Sequence, residues 1–198
     1  MITHLTENKH WFPLSRPASI HQFQIDNDEV MTFMMKVIDD RGDEEFHMTN
    51  LKCNMTEYRS WEKDDRFDKL LPIIDEIIDQ TPVDIRLGDM WGAVYESEEY
   101  ANEHDHGNSE WSFCLYLNQG EGFPPLIVDG NEVEPKKGLM VVFPGWVRHK
   151  VSKQECDHER IILAGNLGIN PWQIITGMEV RGATGVNEEF KNMAQWLY

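Results

Sequence analysis

His104 and His106 stand one residue apart in "EYANEHDHGNSEWSFCLYLN", residues 99–118, just before a run with the texture of a buried strand. In extended backbone, residues i and i+2 share a face, so both imidazoles point one way and Asp105 the other. Downstream, "KKGLMVVFPGWVRHKVSKQECDHERIILAGN", residues 136–166, supplies His149 and Arg160. A hairpin turning between Gln154 and Glu155 sets these two directly opposite each other, with Cβ atoms ~5 Å apart on one face. Three imidazoles from two distant segments can hold a divalent transition metal and leave coordination positions open. An arginine beside them offers a planar, permanently charged fork that suits a carboxylate. Metal plus carboxylate clamp is what a bidentate keto-acid requires. The plainer readings are a polar His-X-His cluster bonded to backbone at a strand start, and an Arg160 salt bridge to Glu155 or Glu159. Arg148, His158, His4 and His10 read as surface residues, and nothing completes a metal pair of Cys156 and His158.

These side chains need a scaffold. From residue 85 to 166 the chain reads as short β-rich runs between turn residues: 90–95, 111–117, 126–128, 138–143 and 160–166. Asp129-Gly130 marks a tight hairpin turn. Several short strands of this kind predict a sandwich or barrel. The first third reads as mixed: a short strand over 19–24, then a helix capped within Asp26-Asn27-Asp28. Its apolar face is Val30, Phe33, Met34, Val37 and Ile38, and Arg41-Gly42-Asp43 ends it. A second helix carries Phe67, Leu70, Leu71, Ile74, Ile77 and Ile78; Pro72 confines its start to near Leu70. A third, about 186–197, has Phe190, Met193 and Leu197 on one face. The expectation is one α+β domain over 1–198, a double-stranded β-helix (jelly roll) with flanking helices. It comprises a helical N-terminal elaboration over about 1–84, a β-helix core over about 85–170 and the C-terminal helix. The order of elements lacks the strand-helix alternation of a doubly wound fold.

The chain has 198 residues and a net charge of −17. That length can bury a core without staples. The charge argues against nucleic acid or an anionic membrane as the main partner. No apolar run nears the ~20 residues of a membrane helix. Cys53, Cys114 and Cys156 form no CxxC, and no signal peptide is visible; both fit reduced thiols in a cytoplasm.

The stretch from Trp91 to Asn166 resembles the Fe(II)/2-oxoglutarate-dependent oxygenases. It is most similar to the prolyl-hydroxylase-like group of bacteria and of tailed phages of marine cyanobacteria. The resemblance lies in "MWGAVYESEEYANEHDHGNSEWSFCLYLN", "VEPKKGLMVVFPGWVRHKV" and "ERIILAGN", and more loosely in "TNLKCNMTEYRSW". It implies Fe(II) held by a His-X-Asp/Glu pair and a distal histidine, with an arginine on the far carboxylate of the cosubstrate 2-oxoglutarate. Carried over by position, His104 and His149 become the ligand histidines and Arg160 the clamp. Tyr95 and Tyr116 fall where aromatics line the cosubstrate pocket. The position of the usual carboxylate holds His106; a shifted alignment would pair His106 with Asn108 instead. The related oxygenases share an HxH form, so the metal ligands expected are His104, His106 and His149.

The resemblance further implies hydroxylation of a protein or peptide residue or of a small molecule, with release of succinate and CO₂, in a cytoplasm (the host's, for a phage protein). The prime substrate and the oligomeric state are not legible. Two other readings compete. A cupin would use the same barrel without 2-oxoglutarate, with Glu110 following the His-X-His at cupin-like spacing. A non-catalytic jelly roll would leave three converging histidines as an unexplained burial cost. Arg160 separates the first of these from an oxygenase, since a cupin has no general need for it.

Overall fold

Every residue of the run Leu139–Pro144 is buried, and in a strand that requires cover on both faces. The computed structural model supplies it. It describes residues 1–11, 17–42, 50–80, 85–107 and 109–169. The chain divides into two units, Met1–Gly168 and Ile169–Tyr198; among the described residues, both α-helices and, but for Ile169, both sheets belong to the first. The expected C-terminal helix, with Phe190, Met193 and Leu197, lies outside the described residues.

Among the described residues, twelve strands form two sheets. The larger has the order β1 (Ile2–Trp11), β2 (Pro17–Ile25), β10 (Leu139–Pro144), β7 (Trp111–Tyr116), β12 (Arg160–Ile169), β5 (Ile85–Tyr95), β4 (Asn54–Met55). The smaller has the order β3 (Leu51–Lys52), β6 (Tyr100–His104), β11 (His149–Val151), β8 (Leu126–Val128), β9 (Asn131–Val133). Apart from β1–β2 and β8–β9, most neighbours are far apart in sequence, and the registered pairings are antiparallel. This is a double-stranded β-helix with helices on one side, an α+β fold.

Period-2 alternation sorts the side chains into two layers. Trp91, Ala93 and Tyr95 of β5, Cys114 and Tyr116 of β7, and Val141 and Phe143 of β10 face the smaller sheet. There they pack with Leu51, Ala101, Leu126, Val128 and Val151. The alternate residues, among them Phe113, Leu115, Met140, Val142 and Leu163, meet the helices. Helix α1 (Asp28–Arg41) buries Met31, Met34, Val37 and Ile38, and α2 (Leu71–Ile78) buries Ile74, Ile77 and Ile78. Each such side chain contributes ~1.5–3 kcal/mol when fully buried. The Asn27 side chain caps α1 by accepting from Val30 N at 3.1 Å, and Gly42 ends it at φ 65°. Pro72 sits in the first turn of α2, where its missing N–H costs nothing. Asp129 and Gly130, at φ 49° and 76°, form a two-residue turn between β8 and β9, which requires positive φ at both positions.

Two expectations are corrected. The first 84 residues are not only helical: β1 to β4 lie there, and β2 pairs with β10 through Phe23↔Met140 and Gln22↔Val141. The β-core therefore begins well before residue 85. Nor do His149 and Arg160 face each other across a hairpin. β11 pairs with β6 and β8, whereas β12 pairs with β7 in the other sheet. The segment between them crosses from sheet to sheet, held by Glu98 N→Gln154 O (2.7 Å), Gln154 N→Glu99 O (2.9 Å) and the Gln154 amide donating to Tyr95 O (3.0 Å). These long-range bonds override the symmetric spacing about Gln154-Glu155. Among the described residues no helix is long and apolar enough to cross a membrane.

Candidate metal centre

His149 is the first residue of β11 and His104 the last of β6, and the two are direct cross-strand partners. Their rings lie 4.2 Å apart between centroids. His106 follows in the segment after β6, its ring 5.1 Å from each of the others. One ligand nitrogen from each of the three lies within 4.8 Å of the other two, the one such group of three or more among the described residues. Glu110 is not part of it, and Asn108 lies outside the described residues.

Two of the rings are oriented by backbone. His104 Nδ1 donates to Asn102 O at 2.7 Å and His149 Nδ1 to Val147 O at 3.1 Å. Such a bond fixes the tautomer and leaves Nε2 as the free lone pair, the usual outer partner of a metal-bound imidazole. Burial pulls all three below the ordinary histidine value. Desolvation, followed by the charge of His104, takes His106 down to about 4. Desolvation, again followed by His104, takes His149 down to about 3. His104 is also lowered, chiefly by desolvation. At neutral pH the cluster is therefore uncharged and ready to donate.

The cavity beside the imidazoles lies between the sheets, walled by Trp91, Tyr95, Cys114, Leu126, Phe143 and Ile162. It holds about 40 Å³, room for roughly three waters at 10–15 Å³ each. A five-carbon diacid has to spread these side chains to fit.

Arg160 opens β12 and is 1 % exposed. Its guanidinium lies 4.1 Å from the centre of the Tyr95 ring, over its face. Nη1 donates to Pro124 O at 3.3 Å, whereas Nε and Nη2 are buried with no acceptor. The Tyr116 hydroxyl is also buried, with the weakly bonding Cys114 thiol as its neighbour. Arg160 acts electrostatically on Tyr95, Tyr116 and Cys114; desolvation nonetheless raises all three, Cys114 to about 12. A buried cation with two vacant donors is costly and fits an anionic acceptor. The neutral nitrogen set fits a transition metal. The residues present thus suit both a metal and a carboxylate.

Of the expected site residues, the histidines meet one another, and Arg160, Tyr95 and Tyr116 form a second group on the larger sheet. Arg148 is exposed and pairs with Glu103 at 3.4 Å, and His158 is exposed. The side chain of His10 lies outside the described residues. Sequence reasoning missed the carbonyls of Asn102, Val147 and Pro124, which no side-chain pattern reveals. It also passed over Cys114 as a wall residue, although its place two residues before Tyr116 on one strand face could have flagged it.

No protein-family model and no curated protein matches the chain. Solved structures do. A viral collagen prolyl hydroxylase from Paramecium Bursaria Chlorella virus-1, in complex with 2-oxoglutarate, is 14 % identical with a TM-score of 0.59, over 76 % of this chain and 96 % of that one. A Pseudomonas putida prolyl-4-hydroxylase is 18 % identical with a TM-score of 0.58, over 83 % and 92 %. HygX from Streptomyces hygroscopicus, with nickel, 2-oxoglutarate and hygromycin B bound, is 12 % identical with a TM-score of 0.54, over 78 % and 83 %. The fold of this chain is the double-stranded β-helix that it shares with these structures.

Proposed function

We propose that the chain is an Fe(II)- and 2-oxoglutarate-dependent oxygenase that hydroxylates a residue of a protein or peptide, or a small molecule. The observation that carries this reading is Arg160: a guanidinium sealed between the sheets with Nε and Nη2 unpaired, on the fold of proteins solved with 2-oxoglutarate.

His104, His106 and His149 would hold Fe(II), and Arg160 with the Tyr116 hydroxyl would take the far carboxylate of 2-oxoglutarate. When bound, the pair would supply, with dioxygen as oxidant, oxidative decarboxylation to succinate and CO₂, one atom of O₂ entering succinate and the other a C–H bond of the substrate. The chain's own residues do the rest. Neutral imidazoles donate without first losing protons. Tyr95 holds the guanidinium against its ring face, so the fork is pre-set for a bidentate carboxylate. The apolar walls keep water from the reacting atoms. A cupin without 2-oxoglutarate would leave the Arg160 charge uncompensated, and a purely structural jelly roll would leave both the charge and three dehydrated imidazoles without purpose.

The net charge of −17 favours a substrate that is not nucleic acid. Cys53, Cys114 and Cys156 form no disulfide, in keeping with a cytoplasmic setting, that of the host for a phage protein. The test is succinate formation from 2-oxoglutarate by the iron-loaded protein, together with 2-oxoglutarate binding to the nickel-loaded protein. Slow succinate release without added substrate, lost in His149→Ala, is expected. Neither succinate nor binding would remove the reading.

A further inference from the structure

We infer that Gly145 is a positioning residue for the His106 ligand, an inference that rests on the proposed metal site. The three histidines are not held alike. His104 and His149 are fixed by strand register and by their own Nδ1–H bonds to backbone. Among the described residues the His106 ring has no hydrogen bond. It rests against His149, centroids 5.1 Å apart and planes 20° off parallel, and against Trp91 at 6.0 Å. Ring contacts of this kind are worth only ~0.5–1.5 kcal/mol. What places His106 is therefore its backbone.

That backbone lies directly on the end of β10. His106 N donates to Gly145 O at 2.6 Å, Gly145 N donates to Glu110 O at 3.1 Å, and Ser109 N closes the turn onto His106 O at 2.7 Å. The approach leaves no room for a side chain. A Cβ at position 145 would stand 2.2 Å from Ser109 O and 2.9 Å from His106 O. Both are backbone atoms, with no rotamer by which to yield. Any residue but glycine must push the His106 and Ser109 carbonyls off the end of β10, and with His106 goes the third imidazole.

The test uses the full chain loaded with Cu(II). Affinity is measured by competition, and the number of coordinated nitrogens by the superhyperfine pattern in electron paramagnetic resonance. Wild type is expected to show three nitrogens. Gly145→Ala should show two and lose about 10–100-fold in affinity, the cost of misplacing a ligand's support. His106→Ala should match it, and the double variant should be no weaker than His106→Ala alone. A folded Gly145→Ala with three nitrogens and unchanged affinity overturns the inference, as do losses that multiply in the double variant. Should Gly145→Ala fail to fold, Ser109→Pro takes its place. It removes the N–H donated to His106 O without adding bulk against β10; three nitrogens at wild-type affinity there also overturn the inference. Wild type that binds copper through three nitrogens yet neither binds 2-oxoglutarate nor makes succinate removes the oxygenase reading and leaves this one standing. Wild type that binds no metal removes both.

Discussion

Replacing Arg160 by methionine separates function from stability. The side chain is 1 % exposed, carries a full charge, and makes one long bond, Nη1 to Pro124 O at 3.3 Å, with Nε and Nη2 unpaired. Removing one partner of a buried ion pair costs about 3–5 kcal/mol. If the other partner is the far carboxylate of 2-oxoglutarate, Arg160→Met weakens cosubstrate binding by about two to three and a half powers of ten. Without 2-oxoglutarate the sign reverses. Exchanging buried charge for an apolar chain of similar length is often neutral or stabilising by about 1–4 kcal/mol. For a domain of this size each kcal/mol is worth roughly 2–4 °C in Tm. The variant should therefore melt no lower than wild type, and up to several degrees higher, while losing the 2-oxoglutarate-dependent rise in Tm expected of wild type with Ni(II) present. Isothermal titration with the nickel-loaded proteins gives the two Kd values, and calorimetric melting gives the stabilities. A Kd for 2-oxoglutarate within threefold of wild type would refute the clamp. A variant several degrees less stable would show that the guanidinium supports the fold instead.

Other outcomes are set by the same geometry. His104→Ala or His149→Ala should abolish stoichiometric metal binding, read by mass spectrometry of metal-loaded protein; full occupancy in either would remove the imidazole site. Tyr116→Phe deletes a buried hydroxyl whose neighbour is the weakly bonding Cys114 thiol, so Tm should hold within a degree or two while the Kd for 2-oxoglutarate rises about tenfold, one hydrogen bond to a charged group. The metal-free protein should lose stability as pH falls from about 6.5 toward 4. The folded state holds His106 near 4 and His149 near 3, whereas the unfolded chain protonates both near 6.5 and is favoured by up to ~1.4 kcal/mol per pH unit for each. Urea melts that stay flat across that window after carboxylate titration is subtracted would contradict the burial. Gly130→Ala should cost about 1 kcal/mol in chemical denaturation, because φ is 76° there; no loss would mean the turn rearranges freely.

Much of the site was legible because its pieces are local. His104-X-His106 stands out as a pair by its spacing alone, and "GLMVVFPGWVRH" declares a buried strand with a histidine soon after it. Arg160 was legible as a candidate clamp, but its place was not. Equal spacing about Gln154-Glu155 suggested a hairpin, yet β11 is only three residues long and Gln154 is tied to the segment between β5 and β6. Pairings between strands a hundred residues apart leave no trace in spacing. The same is true of β1, whose polar sequence ITHLTENKHW has no core-facing alternation; it joins an edge of the larger sheet through β2. Gly145 read as a simple bend after Pro144, because nothing in a sequence tells a glycine needed for turning from one needed for contact.

His104 and His149 ride on one sheet and Arg160 on the other. On the proposed reading, the span from metal to guanidinium is set by two hydrogen-bonded layers, whose backbones pack ~10 Å apart. Such a protein gauges its acid as a calliper does, between rigid jaws. Edits to the loops at the mouth can redraw which substrate approaches without changing the length of diacid that fits, and a longer or shorter acid would call for a different side chain at position 160.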